Sequence, residues 1–217
     1  MDITTLFKLS YGLYIIGSKD NDRNIGCVVN TVTQATSNPV TISVCINKDN
    51  YTSTCIKKIK EFSVSILSEQ IKENIIGVFG FSSSKDKDKF AELQYNYTSS
   101  GMPYIKEGIV GYLQCKVIDF VDNYTHTIFI AEVQEAENIS NSPAMTYEYY
   151  HKVIKGKTPK TASSYIPEPE DTEKLTGKYK CNLCGYIYTG SKEEFESLPD
   201  DYKCPICMAT KNIFVTL

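Results

Sequence analysis

The C-terminal part of the chain carries four cysteines in two closely spaced pairs. Cys181 and Cys184 form the first pair, and Cys204 and Cys207 form the second, in a Cys-x2-Cys-x19-Cys-x2-Cys array. Because two such pairs can place four thiolates around one tetrahedral ion, the spacing predicts a metal site. A segment of about 40 residues has too little core to fold without a metal or disulfides. The array therefore predicts a small, metal-stabilised module.

The spacing of these cysteines leaves the identity of the metal open. Zinc and iron both accept four thiolates in tetrahedral geometry, and the spacing by itself favours zinc. The aromatic residues of the module favour iron, because an apolar aromatic shell excludes water and tunes a redox potential. Six aromatic residues lie in this short segment: Tyr179, Tyr186, Tyr188, Phe195, Tyr202 and Phe214.

A change of composition separates the module from the rest of the chain. Residues 156–177 hold three prolines, small polar residues and almost no apolar ones, so this segment cannot bury a core of its own. We predict a large domain at 1–155, an extended linker at 156–177 and the module at 178–217.

The large domain is predicted to be mainly β. Short segments rich in β-branched residues alternate with polar turn signals, which is typical of a barrel or a sandwich. Two longer runs, 108–121 and 126–136, flank a predicted hairpin turn. Few helices are expected: one begins at Thr52 or Ser53, and a second is capped by Ser68.

Three further interpretations concern charge, cysteine use and location. The charged segment 82–90 is predicted to be a solvated loop that leads into a short helix. Cys27, Cys45 and Cys115 occur singly in apolar stretches, so we expect buried thiols in a reducing cytoplasm. The chain has no apolar run of 18 residues, no leader-like start and no basic stripe, so we expect a cytoplasmic protein that binds neither membrane nor nucleic acid.

The cysteine module resembles rubredoxin. The resemblance lies in YKCNLCGYIY at 179–188 and LPDDYKCPIC at 198–207. It implies one iron held by the four cysteines that carries single electrons. The chain departs from the usual pattern at Met208, where rubredoxins commonly have glycine, and at Tyr202, where tryptophan is common. A glycine at the first of these positions permits a positive φ, which strains methionine.

The large domain resembles the flavin reductase family of split β-barrels. The resemblance runs through residues 12–52, 125–133 and 143–165 in the order found in that family. It implies an FMN-binding split β-barrel with a few helices, in a homodimer with the flavin near the subunit interface. The fold class expected for the whole chain is therefore mainly β, with a small C-terminal rubredoxin-like metal-knuckle domain.

Two segments of the large domain offer groups that suit FMN. Alternating side chains of residues 30–34 can address the edge of the isoalloxazine ring, and residues 47–53 lie where a strand passes into a helix, which suits a phosphate. The predicted cofactor-binding residues are Asn30, Thr31, Thr33, Gln34, Asn47, Lys48, Thr52 and Ser53.

His126 is the predicted catalytic residue. The resemblance places it near the nicotinamide of NAD(P)H, although Thr125 and Ala131 stand where the family has aspartate and glycine. His151 and Lys157 also match family positions, without a role that the residues themselves indicate.

Together the two parts resemble the high-molecular-weight rubredoxins, which are flavin reductase and rubredoxin fusions of anaerobes. This resemblance implies an oxidoreductase that passes electrons from NAD(P)H through FMN to one iron, and on to a protein acceptor such as a flavodiiron O2 or NO reductase. Two alternatives remain at this point. The chain could be a carrier reduced by a separate rubredoxin reductase, or a flavin-binding regulatory protein with a zinc ribbon.

Overall fold

The computed structural model describes residues 2–91, 93–154, 156, 158–159, 161–165 and 178–217. Lys157 lies outside the described residues. The large domain contains β1 (Tyr14–Asp20), β2 (Arg23–Val29), β3 (Val32–Ser37), β4 (Val40–Asn47), α1 (Tyr51–Ile59), β5 (Glu61–Leu67), α2 (Glu73–Phe81), β6 (Tyr95–Tyr97), β7 (Pro103–Ile105), β8 (Ile109–Asn123), β9 (His126–Asn138) and α3 (Tyr147–Lys152). Within the described residues, none of the helices is long and apolar enough to cross a membrane.

Seven strands form one antiparallel sheet in the order β2-β1-β5-β8-β9-β4-β3. The long hairpin β8–β9 lies near its centre and turns at Tyr124, whose φ is 47°. The predicted turn at this position is thus present, and so is the mainly β fold class. The register of β9 against β4 pairs His126 with Asn47 at the end of β4, so two predicted site residues meet at one end of the sheet.

Two apolar clusters hold the large domain together. One lies on the sheet and includes Ile16, Val44, Phe62 and Phe129, all at most 1% exposed. The other lies between the sheet and α2. Burial raises the pKa of Cys27 to about 11 and that of Cys115 to about 12, as expected for structural thiols. Cys45 is only half-buried, so for this residue the expected burial is incomplete.

Both predicted helices exist, but their starts differ from the predictions. Helix α1 begins at Tyr51 because the side chain of Asn50 accepts the amide hydrogen bond of Thr52. Helix α2 begins after Lys72, which gives no side-chain cap. The hydroxyl of Ser68 instead accepts from the Gln70 amide, ahead of the helix, so the predicted cap was wrong.

The charged segment 82–90 also differs from its prediction. Its described residues form turns and loop without a helix, and Lys89 is only 3% exposed. The Lys89 ammonium donates to the carbonyls of Gly26 at 2.9 Å and Phe79 at 3.1 Å. Burial lowers the pKa of Lys89 to about 8. A charge run thus conceals one lysine that ties the end of α2 to β2.

The C-terminal module is built from β10 (Tyr179–Cys181), α4 (Lys192–Ser197), a short 3-10 turn (Lys211–Ile213) and β11 (Phe214–Thr216). Strands β10 and β11 pair antiparallel. Helix α4 has a capping box, in which Ser191 and Glu194 each bond the other's backbone amide. These elements surround Phe195, which is 3% exposed.

Candidate functional site

The four cysteine sulfurs of the module form one buried cluster. Cys181 and Cys207 lie 3.7 Å apart, Cys184 and Cys204 lie 3.6 Å apart, and all four sulfurs are within 4.8 Å of one another. Four thiolates about 2.3 Å from a tetrahedral ion would be about 3.8 Å apart. The donor set and its dimensions therefore fit a four-coordinate metal.

Each pair of cysteines belongs to a knuckle, a tight turn that we define as residues 181–185 in the first case and 204–208 in the second. In the first, the amide of Gly185 donates to the carbonyl of Cys181 at 2.8 Å. In the second, the amide of Met208 donates to the carbonyl of Cys204 at 2.9 Å. Gly185 has a φ of 78° and Met208 a φ of 60°. Met208 therefore adopts the positive φ for which glycine is suited.

Backbone amides that point at the sulfurs favour thiolates. The Tyr186 amide hydrogen-bonds the sulfur of Cys184, and the Ala209 amide hydrogen-bonds that of Cys207. The sulfurs also hydrogen-bond one another: the bond to Cys204 raises the pKa of Cys184, and the bond to Cys184 lowers the pKa of Cys204. A cation would replace this shared proton, since metals bind deprotonated thiols.

The predicted aromatic residues pack around the cluster. Phe195 stacks on Tyr179 with a centroid distance of 4.0 Å, and Tyr202 and Phe214 meet it at 6.0 and 4.9 Å. Burial raises the pKa of Tyr202 to about 12. The aromatic residues form the apolar shell that the sequence indicated, which keeps water from the metal site.

The large domain has a pocket next to the ends of β2, β4 and β9 and to helix α2. Its apolar side is formed by residues that include Leu13, Val28, Ile46 and Phe79. Its polar lining includes Asn30, Asn47, Asn50, His126, Tyr147 and Thr161. A pocket with one apolar side and with amides and hydroxyls on the other suits a flat heterocycle that has a polar edge. A flavin is such a heterocycle.

Only some of the predicted flavin contacts line this pocket. Asn30, Asn47 and His126 do. Thr31 lies beside them, because its hydroxyl donates to the side-chain oxygen of Asn30 at 3.0 Å.

The remaining predicted contacts lie elsewhere in the structure. Thr33 and Gln34 are exposed on the outer strand β3. Lys48 is exposed, whereas Thr52 and Ser53 are buried in the first turn of α1. None of these five residues lines the pocket, so their roles as flavin contacts stay predictions.

A segment that the sequence assigned to the linker lies over the pocket. The side-chain amide of Asn30 donates to the Ser164 hydroxyl at 2.6 Å, and that of Asn47 donates to the Thr161 carbonyl at 3.1 Å. The Tyr147 hydroxyl contacts Thr158 at 2.5 Å and accepts from Ser164 at 3.1 Å. The predicted boundaries stay a prediction, but the described part of 158–165 contributes to the site.

His151 has a structural role in holding the same segment. Its Nδ1 lies 2.9 Å from the carbonyl of Gly156, which can only accept, and its Nε2 lies 3.2 Å from the Thr158 hydroxyl. The contact with the carbonyl places the proton on Nδ1, so Nε2 can accept from Thr158. The sequence analysis named His151 but missed Tyr147, although both residues belong to the segment YEYYHK.

His126 lies at the rim of the pocket and is partly exposed. Its Nδ1 lies 2.9 Å from the Thr125 hydroxyl. Burial lowers the pKa of His126 from its ordinary value, so its neutral form is favoured near neutral pH. A neutral imidazole there can act as a hydrogen-bond partner for a ligand.

Comparison with known proteins assigns both parts of the chain. Residues 6–157 match the family model described as the flavin reductase like domain. The chain belongs to this family. Residues 178–214 match the rubredoxin model. The expected combination of a flavin reductase-like domain with a C-terminal rubredoxin domain is therefore confirmed.

Two curated relatives resemble most of the chain. The high molecular weight rubredoxin of Moorella thermoacetica is 42% identical over 87% of this chain and 83% of its own length. The ferric-chelate reductase (NAD(P)H) of Archaeoglobus fulgidus is 41% identical over 76% of this chain and 98% of its own length. Among solved structures, a Streptomyces globisporus NADH:FAD oxidoreductase has a TM-score of 0.60 at 22% identity. It covers 65% of this chain and 84% of its own, and this likeness supports the fold alone.

Proposed function

We propose that this flavin reductase family member is an electron-transfer oxidoreductase that takes electrons from NAD(P)H through FMN to one iron held by Cys181, Cys184, Cys204 and Cys207. The observation that carries the proposal is the presence of a flavin-type pocket and a four-sulfur cluster in one chain. When bound, the flavin supplies the conversion of a two-electron hydride into single electrons.

The pocket residues bind and orient the cofactor in this proposal. Asn30 and Asn47 offer amide donors and acceptors to the polar edge of the ring, while Phe79 and Val28 exclude water from its face. His126, in its neutral form at the rim, positions the nicotinamide amide of the donor. Thr33 and Lys48 are exposed and do not line the pocket. We therefore expect them to contribute less to flavin binding than Asn30, Asn47 and His126.

The module residues hold the iron and deliver its electron. Iron held by the four cysteines would supply a one-electron site between the two-electron hydride donor and the acceptor. Amides that point at the sulfurs stabilise the added negative charge on the thiolates. Residues 166–217 carry nine acidic residues against six lysines, and an acidic segment suits a basic docking face. We propose a flavodiiron protein as the acceptor.

Assembly and location follow from the same proposal. The seven-stranded sheet is proposed to close as a split β-barrel and to pair in a homodimer with the flavin near the interface. We place the protein in the cytoplasm, where thiols such as Cys27 and Cys115 stay reduced.

Anaerobic titration of purified protein with NADH and NADPH tests the proposal. Protein from an iron-replete culture should contain FMN and one iron per chain, and NAD(P)H should bleach the flavin absorbance and then the iron absorbance. Equimolar zinc together with bound flavin would establish the regulatory alternative, and equimolar zinc without flavin would overturn the redox proposal. Flavin and iron that NAD(P)H leaves oxidised, but a separate rubredoxin reductase reduces, would establish the carrier alternative.

A further inference from the structure

Helix α2 contains a glycine at a position where the helix itself does not need one. Gly77 lies in the middle of α2 and is buried. A glycine in a helix interior is less favourable than alanine. Some contact that a side chain would prevent must therefore explain it.

That contact is with the second knuckle of the rubredoxin module. A methyl group built on Gly77 would overlap the carbonyl oxygen of Ile206 and would lie 3.1 Å from the Cα of Cys207. The backbone of one iron-binding turn therefore rests directly on the backbone of α2. Only glycine leaves room for this approach.

Phe81 extends the same contact toward the flavin pocket. It lies one helical turn after Gly77, so both residues are on one face of α2. Phe81 packs against the aromatic cluster of the module, and it also lines the pocket together with Gly80 and Phe79. One side chain thus touches both the metal module and the pocket.

The two knuckles differ in this respect. Leu183 occupies in the first knuckle the position that Ile206 occupies in the second, and it is 45% exposed. Ile206 is partly buried and packs with the module cluster. Of these two otherwise similar turns, the second is the one whose backbone meets Gly77.

We propose that the chain's own rubredoxin module docks on the face of α2 formed by Gly77 and Phe81, which we call the docking seat. The module contacts it through Ile206 and Cys207, and in this position it receives electrons from the flavin pocket. The inference deepens the proposed function and rests on it. The occupant is the module of the same chain, and the seat is apolar, so docking depends on close backbone approach rather than on ion pairs.

Gly77→Ala tests the seat from the side of the large domain. In a helix without a tertiary contact, this change would stabilise the helix, because alanine has the higher helix propensity. At the seat, the added methyl should displace the second knuckle. We expect peptides covering 73–81 and 204–209 to exchange amide hydrogen faster by about tenfold or more in the full-length protein, with the flavin and iron contents unchanged.

Ile206→Asp and Leu183→Asp test the seat from the side of the module and form a matched pair. Aspartate at Ile206 should increase exchange in 73–81 and slow single-turnover reduction of the iron by about tenfold or more, because a misplaced redox centre reacts poorly. Aspartate at the exposed Leu183 should change neither quantity. Iron content, measured in both variants, reports whether the module still folds.

The outcomes separate this inference from the proposed function. Equal exchange in the wild type, Gly77→Ala and Ile206→Asp would overturn the docking seat, whatever the rate of iron reduction. Slowed reduction in Leu183→Asp equal to that in Ile206→Asp would also overturn it. If NAD(P)H fails to reduce the iron of the wild type while the three exchange patterns follow expectation, the proposed function fails and the seat stands.

Discussion

The two cysteine knuckles have the same backbone hydrogen bonds but different surroundings. Each turn closes with an amide-to-carbonyl bond of 2.8 or 2.9 Å, and each contributes two sulfurs to the cluster. The first turns at Gly185 and leaves Leu183 exposed, whereas the second turns at Met208 and rests on α2. Metal binding thus uses both turns alike, whereas the close backbone contact with Gly77 is made by the second.

The largest expected effect is one that the knuckles share. Cys184→Ser and Cys207→Ser, one from each turn, should each remove the iron colour and unfold the module, because a four-thiolate site supplies most of the folding free energy of so small a domain. Flavin content should stay at the wild-type level, since the pocket belongs to the large domain. Iron and flavin per chain are measured on the same samples. Full iron retention by either variant would show that the knuckles are not equivalent ligand sources.

An intermediate effect is expected at the turn of the first knuckle. Gly185→Ala places a side chain at a φ of 78°, which costs about 1–2 kcal/mol. Urea unfolding followed by the visible absorbance of the iron should show a lower midpoint. Asn182→Ala, an exposed position in the same turn, is the control and should stay within about 0.5 kcal/mol of the wild type. Equal losses in both variants would remove backbone strain as the reason.

The module could be predicted from sequence because its constraints are local. Cysteines two residues apart dictate a tight turn, and the positive φ of Met208 follows from the rubredoxin pattern. The capping box at Ser191 and Glu194 is equally local. In such segments, neighbours in sequence are also neighbours in space.

The pocket was predicted less completely because distant segments build it. Asn30 meets Ser164, and Asn47 meets Thr161, across more than a hundred residues of chain. No periodicity or turn signal reports such a contact. The burial of Lys89 was missed for the same reason, because its two carbonyl partners come from β2 and α2.

The smallest expected effect is a gain in stability at Met208. Replacement by glycine removes a backbone strain of about 1–2 kcal/mol from the folded module. Glycine also gives the unfolded chain more conformational freedom, which lowers the unfolding free energy by about 0.5–1 kcal/mol. The net rise in the unfolding free energy of the module should therefore be about 0–1.5 kcal/mol, opposite in sign to the effect of Gly185→Ala. Urea unfolding at the iron absorbance measures it, with Met208→Ala as the control that removes the side chain and keeps the strain. If Met208→Gly and Met208→Ala both lose stability equally, the methionine side chain contributes more than its backbone costs, and the second knuckle is stabilised by its packing rather than by the geometry of its turn.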